Sequence, residues 1–380
     1  MLQCCRKRKG SEHIKALIIS VSTGQGHNST ASALQSVFIE NGWECRTIDA
    51  HYHAFKPLGF CISKGYLLTI KCISGLYAKT YTKLEQREAG KGDLTIKLGK
   101  MIAGKIGKYI DEYSPDVIIC THVFSGLTVQ HLINQGKINA RTFGIVTDFT
   151  LHPYWEELLG FDGIVIPCEK LEDRLIAKGF KKDQILPFGI PIHSKFSGKL
   201  SKEAAREQLG LMKDKPVITV MSGSMCYGGV TETVKKIDRL NECFQIVAVC
   251  GSSKKELKKL ENTNFRHNVK KLGYTDLVNL IMDSSDIIIT KPGGLSTTEA
   301  LSKELPMIIT KPIRGHEERN LAFLTEQGAA MSVTESVPVE LLVHEFFTNK
   351  EMRENMQRAV CEISKKDAAK KFFNYVNTCL

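Results

Sequence analysis

The 380-residue chain begins the same kind of structural unit twice. In the first instance an apolar segment, residues 16–21, leads into a loop of small residues, 22–28, and then into a helix that is predicted to begin near Ser29 and to end at Asn41 and Gly42. The order strand, small-residue loop, helix is the opening of a doubly wound α/β domain. A second opening in the same chain therefore predicts two such domains.

The second opening lies about 200 residues later, with a predicted strand at 216–221, a Gly/Ser loop at 222–229 and a helix at 230–240. The intervening segment 186–194, LPFGIPIHS, contains two prolines and one glycine, which indicates a linker. The predicted domains are residues 1–195 and 196–380, with the boundary near Phe196.

Short apolar runs fit parallel strands that are buried on both faces of a sheet. These runs are 117–120, 143–147 and 163–166 in the first half, and 245–249, 287–290 and 307–309 in the second. Such sheets bind ligands at the carboxyl ends of their strands. The sequence predicts an α/β protein of two Rossmann-like, doubly wound domains facing each other across a cleft, with strand-end loops around one ligand site.

The charge composition restricts the classes of partner that the chain is predicted to bind. Lys and Arg outnumber Asp and Glu by 52 to 41, and the net charge of +11 predicts an anionic partner, either nucleic acid, nucleotide phosphates or an acidic membrane surface. The sequence contains neither an aromatic RNA-recognition pattern nor a helix-turn-helix signal, so nucleic acid is disfavoured. The 12 cysteines form no C-x-x-C pair and no zinc-ligand spacing, which indicates a reducing, cytosolic compartment.

Membrane contact is predicted to be peripheral, because no uncharged apolar run reaches the roughly 18 residues of a membrane span. Residues 62–84 are predicted to form a basic amphipathic helix or helix pair, which either packs its apolar side on the sheet or lies on an anionic membrane. The C-terminal stretch 339–380 is predicted to be helical with solvated charged sides.

The first strand-end loop holds candidate binding and catalytic residues. Gly24 and Gly26 allow the backbone to approach a ligand closely, at the positive end of the next helix. Ser29 replaces the third glycine of a dinucleotide fingerprint, and the loop lacks the lysine of a P-loop. An imidazole at His27 can take a proton from an acceptor hydroxyl, or it can simply cap the helix.

A second loop, in the sequence TDFTLHP, places Asp148 and His152 after a predicted strand. The Asp148 carboxylate can orient or polarise a catalytic group, or it can cap a turn. Both residues would lie at the same sheet edge as His27.

The second half contains a candidate diphosphate cradle, in which paired glycines and hydroxyl residues open a helix. Its residues are Gly293, Gly294, Ser296 and Thr297, with the loop residues Ser222, Gly223 and Ser224 on the same cleft. Glu299 can accept hydrogen bonds from ribose hydroxyls or stabilise the helix start without a ligand. The charged segment 314–320 is suited to recognise sugar hydroxyls, or it is simply a solvated part of the surface.

Taken together these segments resemble glycosyltransferase family 28, and within it the monogalactosyldiacylglycerol synthases and processive diacylglycerol glucosyltransferases. The resemblance covers nearly the whole chain. Its specific parts are STGQGHNSTASAL and TDFTLHPYW in the first half, and KPGGLSTTEALSKELPMI, GHEERN and the turn 327–330 in the second.

The resemblance implies an inverting enzyme of the GT-B fold, whose N-terminal domain binds a lipid acceptor and whose C-terminal domain binds a UDP-sugar. It implies that His27 is the acceptor-activating base. It places Asp148 and His152 in the acceptor-side site, where they are predicted to be catalytic together with His27. Gly24, Gly26 and Phe149 are predicted to bind the acceptor.

On the donor side the resemblance implies that Gly293, Gly294, Ser296 and Thr297 hold the diphosphate. It also assigns Glu299 to the ribose, the backbone at Tyr274 to the uracil, and Glu317 and Asn320 to the sugar. Arg314 is predicted to assist the leaving diphosphate.

Three residues depart from the commoner family pattern. His316 stands where Gln is frequent, Arg319 stands where an acidic residue is frequent, and Gln25 stands where plant relatives tend to have Gly. The first two lie by the donor sugar, so glucose and galactose both remain open.

The predicted function is transfer of a hexose from UDP-glucose or UDP-galactose to a lipid, 1,2-diacylglycerol, by a protein on the cytoplasmic face of an anionic membrane. No metal and no cofactor beyond the UDP-sugar co-substrate are expected. Two alternatives remain: a UDP-sugar 2-epimerase-like enzyme acting on a soluble sugar nucleotide, and a non-catalytic module that binds nucleotide or membrane.

Overall fold

A computed structural model describes residues 13–22, 25–54, 94–223, 229–313 and 315–380. These residues form two compact units. The first unit comprises the described residues up to Thr147 together with Leu151–His193 and Asp367–Leu380, and the second comprises Asp148–Thr150 and Ser194–Lys366. The predicted amphipathic segment 62–84 and the predicted site residues Gly24, Ser224 and Arg314 lie outside the described residues.

The first unit contains a six-stranded, all-parallel sheet in the order β2-β1-β3-β4-β5-β6. Its strands are β1 Lys15–Ser20, β2 Glu44–Asp49, β3 Val117–Cys120, β4 Arg141–Ile145, β5 Gly163–Val165 and β6 Ile185–Leu186. Its α-helices are α1 Gln25–Glu40, α2 Ala50–Ala54, α3 Leu94–Tyr113, α4 Val123–Asn134, α5 Glu172–Ala177 and the last helix of the chain, α14 Ala368–Thr378. Single 3₁₀ turns lie at Pro153–Glu157, Glu169–Leu171 and Lys182–Gln184.

The apolar character of β1 follows from burial on both faces of the sheet. Leu17 and Ile19 point into a core that includes Ile102 and Ile106 of α3. The alternate residues of β1 point into a second core that α1 and α14 complete. Since successive residues of a strand face opposite sides, a doubly covered strand is apolar throughout.

Helix α14 contributes aromatic rings to the core of the first unit. Phe373 contacts Phe38 of α1 and Trp43 edge-on, with ring centroids 5.1 and 5.4 Å apart. Phe372 of the same helix is fully buried beside Phe143 of β4. The last helix of the chain therefore completes the first unit rather than the second.

The second unit contains another six-stranded parallel sheet, in the order β12-β11-β10-β7-β8-β9. Its strands are β7 Val217–Met221, β8 Gln245–Val249, β9 Asn268–Leu272, β10 Ile287–Thr290, β11 Met307–Ile309 and β12 Ala330–Ser332. Its α-helices are α6 Lys202–Gln208, α7 Val230–Ile237, α8 Lys254–Glu261, α9 Val278–Ser284, α10 Gly294–Ser302, α11 His316–Glu326, α12 Val339–Thr348 and α13 Lys350–Ile363, and a 3₁₀ turn lies at Ser194–Phe196.

The predicted fold class is confirmed: the protein is α/β, with two doubly wound parallel sheets. In each sheet the chain reverses its direction of winding beside the first strand, between β1 and β3 and between β7 and β10. Loops diverge there at the carboxyl ends of the strands and leave a crevice for a ligand. The His27 region and the paired-glycine region both stand at these positions.

One predicted boundary is wrong in a way that matters for the site. Helix α1 begins at Gln25, four residues before Ser29, so Gly26 and His27 lie in its first turn and not in a loop. The side chain of Asn28 receives a hydrogen bond from Ser20 (2.7 Å) and donates one to Ser22 (3.0 Å). These bonds tie the first turn to the strand end and compensate for the weak helix propensity of glycine and asparagine.

Candidate functional site

The imidazole of His27 is held at the carboxyl edge of the first sheet. Its Nδ1 lies 2.8 Å from the carbonyl oxygen of Thr121, which follows β3, and 3.1 Å from Oγ1 of Thr147, which follows β4. Because a carbonyl only accepts hydrogen bonds, Nδ1 carries the proton in the neutral ring and the basic lone pair belongs to Nε2. The surrounding backbone thus sets the tautomer that a general base needs.

His122, which the sequence analysis did not single out, packs directly against His27. The ring centroids are 4.3 Å apart and the planes are inclined at 75°. The Nδ1 atom of His122 accepts a hydrogen bond of 3.1 Å from the amide of Phe124 and so caps helix α4. Burial lowers the pKa of His122 well below its ordinary value, and the nearby imidazoles of His27, His152 and His51 lower it further. His122 therefore stays neutral beside the candidate base.

Two more residues of the first unit support this edge. Asp49, at the end of β2, accepts hydrogen bonds from the amides of Ser22 (2.6 Å) and Tyr52 (2.8 Å), which connects the end of β2 to the backbone at Ser22 and to helix α2. His51 is buried, and burial lowers its pKa. Asp49 is the last residue of β2, and His51 and His122 each lie two residues beyond the end of a strand, β2 and β3 respectively. A polar residue at the carboxyl end of a parallel strand is the signal in the sequence that could have identified them.

The predicted site residue His152 lies at the start of the 3₁₀ turn Pro153–Glu157. Its Nδ1 accepts a hydrogen bond of 3.3 Å from the amide of Tyr154, and its ring stacks on the Tyr154 ring at 5.1 Å. The structure thus gives His152 a capping role, and its contact with an acceptor stays a prediction.

In the second unit the paired glycines form the start of helix α10. Gly293 is the N-cap residue and Gly294 is the first helical residue. The first amides of an α-helix have no acceptor within the helix and carry its positive dipole end, so they can bind an anion. A Cβ added at Gly293 would meet no atom within 4 Å, so the backbone here is open to a ligand.

The hydroxyl residues of the cradle mostly stabilise the helix start. Thr297 donates its hydroxyl to the carbonyl oxygens of Gly293 (2.9 Å) and Gly294 (3.1 Å), and Thr298 donates to Gly294 (2.7 Å). Ser296 is half-buried in the same turn. The geometry favours amides, rather than the Thr297 hydroxyl, as the groups that would meet a diphosphate.

Glu299 is half-buried in α10. Burial raises its pKa to about 7, and the ammonium of Lys195 opposes that rise. At neutral pH the carboxyl group is therefore divided between its charged and neutral forms. A carboxylate that is poorly solvated is well suited to accept hydrogen bonds from ribose hydroxyls, because the ligand replaces the missing water.

Two charged side chains lie near the paired glycines. Lys291 is half-buried. Burial lowers the pKa of its ammonium group, and the negative charge of Glu317 opposes that change. Glu317 is buried and accepts a hydrogen bond of 2.6 Å from the amide of Ile313. A lysine at the end of β10 thus supplies positive charge in the described part of the donor region.

The remaining predicted donor residues lie in strand-end loops. Tyr274 lies in the loop after β9 and is 72% exposed, and the contact of its backbone with uracil stays a prediction. Ser222 is buried after β7, and Gly223 has φ of +66°, a left-handed conformation that favours glycine.

Asp148 and Phe149 belong to the second unit, where they contact helix α11. Asn320 donates a hydrogen bond of 2.8 Å to Oδ1 of Asp148 and accepts one of 2.8 Å from the amide of Phe149. The Phe149 ring stacks on Phe323 at 4.6 Å. The structure thus brings together Asp148, Phe149 and Asn320, three residues that the sequence analysis assigned to two different substrates.

Neither a metal centre nor a membrane span is found within the described ranges. No group of three or more His, Cys, Asp or Glu side chains there could hold a metal ion, even though several histidines gather near His27. Likewise, no helix in those ranges is long and apolar enough to cross a bilayer.

Comparison with known proteins identifies the class. Residues 27–192 match the model of the monogalactosyldiacylglycerol (MGDG) synthase family, and residues 217–372 match that of the glycosyltransferase family 28 C-terminal domain. The MurG structure from Acinetobacter baumannii shares the fold with a TM-score of 0.64 and 13% identity, covering 96% of this chain and 99% of that one. The two sheets and this likeness define a protein of the GT-B fold.

Curated relatives indicate the group within the family to which the chain is similar. The chain is 28% identical to the processive diacylglycerol beta-glucosyltransferase of Bacillus pumilus, over 90% of this chain and 89% of the relative. It is 26% identical to a probable chloroplastic monogalactosyldiacylglycerol synthase of Glycine max, over 93% of this chain and 69% of the relative. The chain belongs to glycosyltransferase family 28, in the group of the monogalactosyldiacylglycerol synthases and processive diacylglycerol glucosyltransferases.

Proposed function

We propose that this protein is an inverting hexosyltransferase that moves a hexose from a UDP-sugar to 1,2-diacylglycerol. The observation that carries the proposal is the match of both halves of the chain to family 28 models, together with an imidazole held in the tautomer of a base at the predicted position. Relatives that align with most of this chain are named as a processive diacylglycerol beta-glucosyltransferase and as a probable monogalactosyldiacylglycerol synthase.

In the proposed reaction Nε2 of His27 takes the proton of the acceptor hydroxyl. The acceptor oxygen then forms a bond to the anomeric carbon of the sugar while the bond from that carbon to the diphosphate oxygen breaks. UDP leaves with the electron pair, and the anomeric configuration inverts. The hydrogen bond from Nδ1 to Thr121 stabilises the imidazolium that results.

On the donor side, the first amides of α10 meet the charge that develops on the leaving diphosphate. Lys291 adds a positive charge next to these amides, in the described part of the region to which Arg314 was also assigned. We assign Glu299 to the ribose, the backbone at Tyr274 to the uracil and Glu317 to the sugar. None of these roles requires a metal ion.

We propose a peripheral location on the cytoplasmic face of an anionic membrane. In support, the chain has a net charge of +11, and helix α3 exposes Lys97, Lys100 and Lys108. Exposed lysines of this kind are attracted to anionic lipids at about 1 kcal/mol per charge near the surface.

The test is incubation of the purified protein with radiolabelled UDP-glucose or UDP-galactose and mixed micelles of diacylglycerol and anionic phospholipid, followed by lipid extraction. We expect label in the lipid phase with one of the donors, which also identifies the sugar. His27→Ala is the comparison variant and should lower the rate at which label enters the lipid phase by about 10²- to 10⁴-fold. Label that stays in the aqueous phase as an altered sugar nucleotide would instead support an epimerase.

A further inference from the structure

The side chain of Asn320 joins three segments of the second unit. Asn320 lies in the second turn of α11 and is fully buried. One of its amide hydrogens is donated to Oδ1 of Asp148 at 2.8 Å, and the other is donated to the carbonyl oxygen of Pro292 at 2.9 Å. Its carbonyl oxygen accepts the amide hydrogen of Phe149 at 2.8 Å. Both hydrogens and the oxygen are thus used inside the protein.

The same side of α11 makes a second contact with the segment Asp148–Thr150. Phe323 follows Asn320 by three residues, a spacing that places both on one side of a helix. Its ring stacks on Phe149 with centroids 4.6 Å apart and planes inclined at 10°. The segment is therefore fixed by a pair of hydrogen bonds and by an aromatic contact.

We propose that Asn320 is a positioning residue that fixes the Asp148 carboxylate and the backbone at Pro292, and does not contact the sugar. The inference rests on the proposed function and replaces the sugar contact that the family resemblance implies for this residue. To bind a sugar hydroxyl through its amide hydrogens, Asn320 would have to release Asp148 or Pro292. Release of Pro292 would leave its buried carbonyl oxygen without this hydrogen bond, and release of Asp148 would leave a half-buried carboxylate without its contact to Asn320, both of which are unfavourable.

Asn320 connects two regions that the reaction uses. Pro292 immediately precedes Gly293, the N-cap of the helix whose amides are proposed to receive the diphosphate. Asp148 is the carboxylate that the sequence analysis assigned to the acceptor side. Since one amide group holds both, removing it displaces both, and a displacement of about 1 Å can cost on the order of 100-fold in turnover.

The test separates the affinity for the nucleotide from the affinity for the sugar. Asn320→Ala and the milder Asn320→Ser are compared with wild type by calorimetric titration of UDP and of the UDP-sugar, and by the kcat of lipid glycosylation. We expect the ratio of the two dissociation constants to stay within about twofold of wild type, while kcat falls about tenfold or more. Asn355→Ala, at an exposed position of the same unit, is the matched control and should change neither quantity.

A double-mutant cycle with Asp148→Ala tests the contact itself. We expect Asn320→Ala to lower kcat much less when Asp148 is already absent, and the shifts of the thermal midpoint to be non-additive in the same way. The thermal cycle needs no activity, so it still reports on the contact if the protein transfers no sugar to diacylglycerol, a result that would instead overturn the proposed function. Additive effects, or a variant that loses affinity for the UDP-sugar but not for UDP, would refute the positioning role.

Discussion

The two sheets have related architectures but present different chemistry at their carboxyl ends. In the first unit the strand ends carry imidazoles, and the protein sets the tautomer of His27 and keeps its neighbour His122 neutral. In the second unit the equivalent edge carries helix amides, a lysine and a carboxyl group whose pKa is raised to about 7 at Glu299. In the proposed mechanism the fold therefore supplies the position, and the residues after each strand determine whether that position transfers a proton or binds a diphosphate.

The difference between the two units predicts that substitution of His27 has the largest effect on turnover. His27→Ala should lower kcat by about 10²- to 10⁴-fold, because it removes the proposed general base. UDP affinity should be unchanged, since the nucleotide is assigned to the second unit. The measurements are lipid glycosylation kinetics and calorimetric UDP binding, and nearly full turnover in the variant would exclude the base role.

A smaller effect is expected at the start of α10. Gly293→Ala should weaken UDP binding by about tenfold, equivalent to ~1.4 kcal/mol, because the added methyl group covers amides that the diphosphate needs. The fold should be unaffected, since the new Cβ meets no atom within 4 Å. Gly198→Ala is the matched control in the same unit, where a Cβ also meets nothing within 4 Å. Equal UDP affinities for the two variants would argue against the cradle.

His122 tests whether the neighbour of the proposed base matters as a ring or as a helix cap. His122→Asn keeps a good capping side chain but removes the ring, and we expect kcat to fall about two- to tenfold, because the edge contact that helps to orient the His27 ring is lost.

His122→Phe makes the opposite change, because it keeps an aromatic ring and removes the cap. We expect kcat to stay near that of wild type and the free energy of unfolding to fall by about 1 kcal/mol. If the two variants show the same kcat, the ring contact has no role in the reaction.

The elements that could be predicted from the sequence are those that a local pattern of residues encodes. Uninterrupted apolar runs predicted the central strands β3, β8, β10 and β11 with the bounds that the structure shows, because those strands are covered on both faces. It did not predict β9, whose residues are only partly buried and include two lysines. An edge strand of this kind is stabilised by its neighbour in the sheet, and its own residues give little signal.

The contacts that the sequence did not predict have a different cause. His122, which was missed as a site residue, makes a ring contact across 95 positions of sequence, and Asn320, which was predicted to contact the sugar, makes hydrogen bonds to residues 171 and 172 positions away. No local pattern encodes such contacts. The same limit applies to α14, since nothing in its charged helical sequence shows that Phe372 and Phe373 complete the core of the first unit.

The smallest predicted effect is on the free energy of unfolding. Two carboxyl groups near helix α10 should change it with opposite signs. Burial raises the pKa of Glu299 to about 7, so the folded state binds this proton more tightly than the unfolded chain does. Its contribution to stability is present at pH below 4.5 and is lost as the pH rises through about 7. Glu299→Gln should therefore raise the free energy of unfolding at pH 8, by on the order of 1 kcal/mol, with the gain disappearing toward pH 4.

Glu304, two residues beyond the end of α10, is the matched control. Lys199 and Lys366 lower its pKa to about 2, so its contribution is present above pH 4.5 and is lost as the pH falls toward 2. Glu304→Gln should destabilise the protein at pH 8 and have little effect at pH 2. Urea unfolding of both variants across this range measures the two signs. If Glu299→Gln were also destabilising at pH 8, its carboxylate would be satisfied within the protein, and the argument that it awaits the hydroxyls of a ribose would fail.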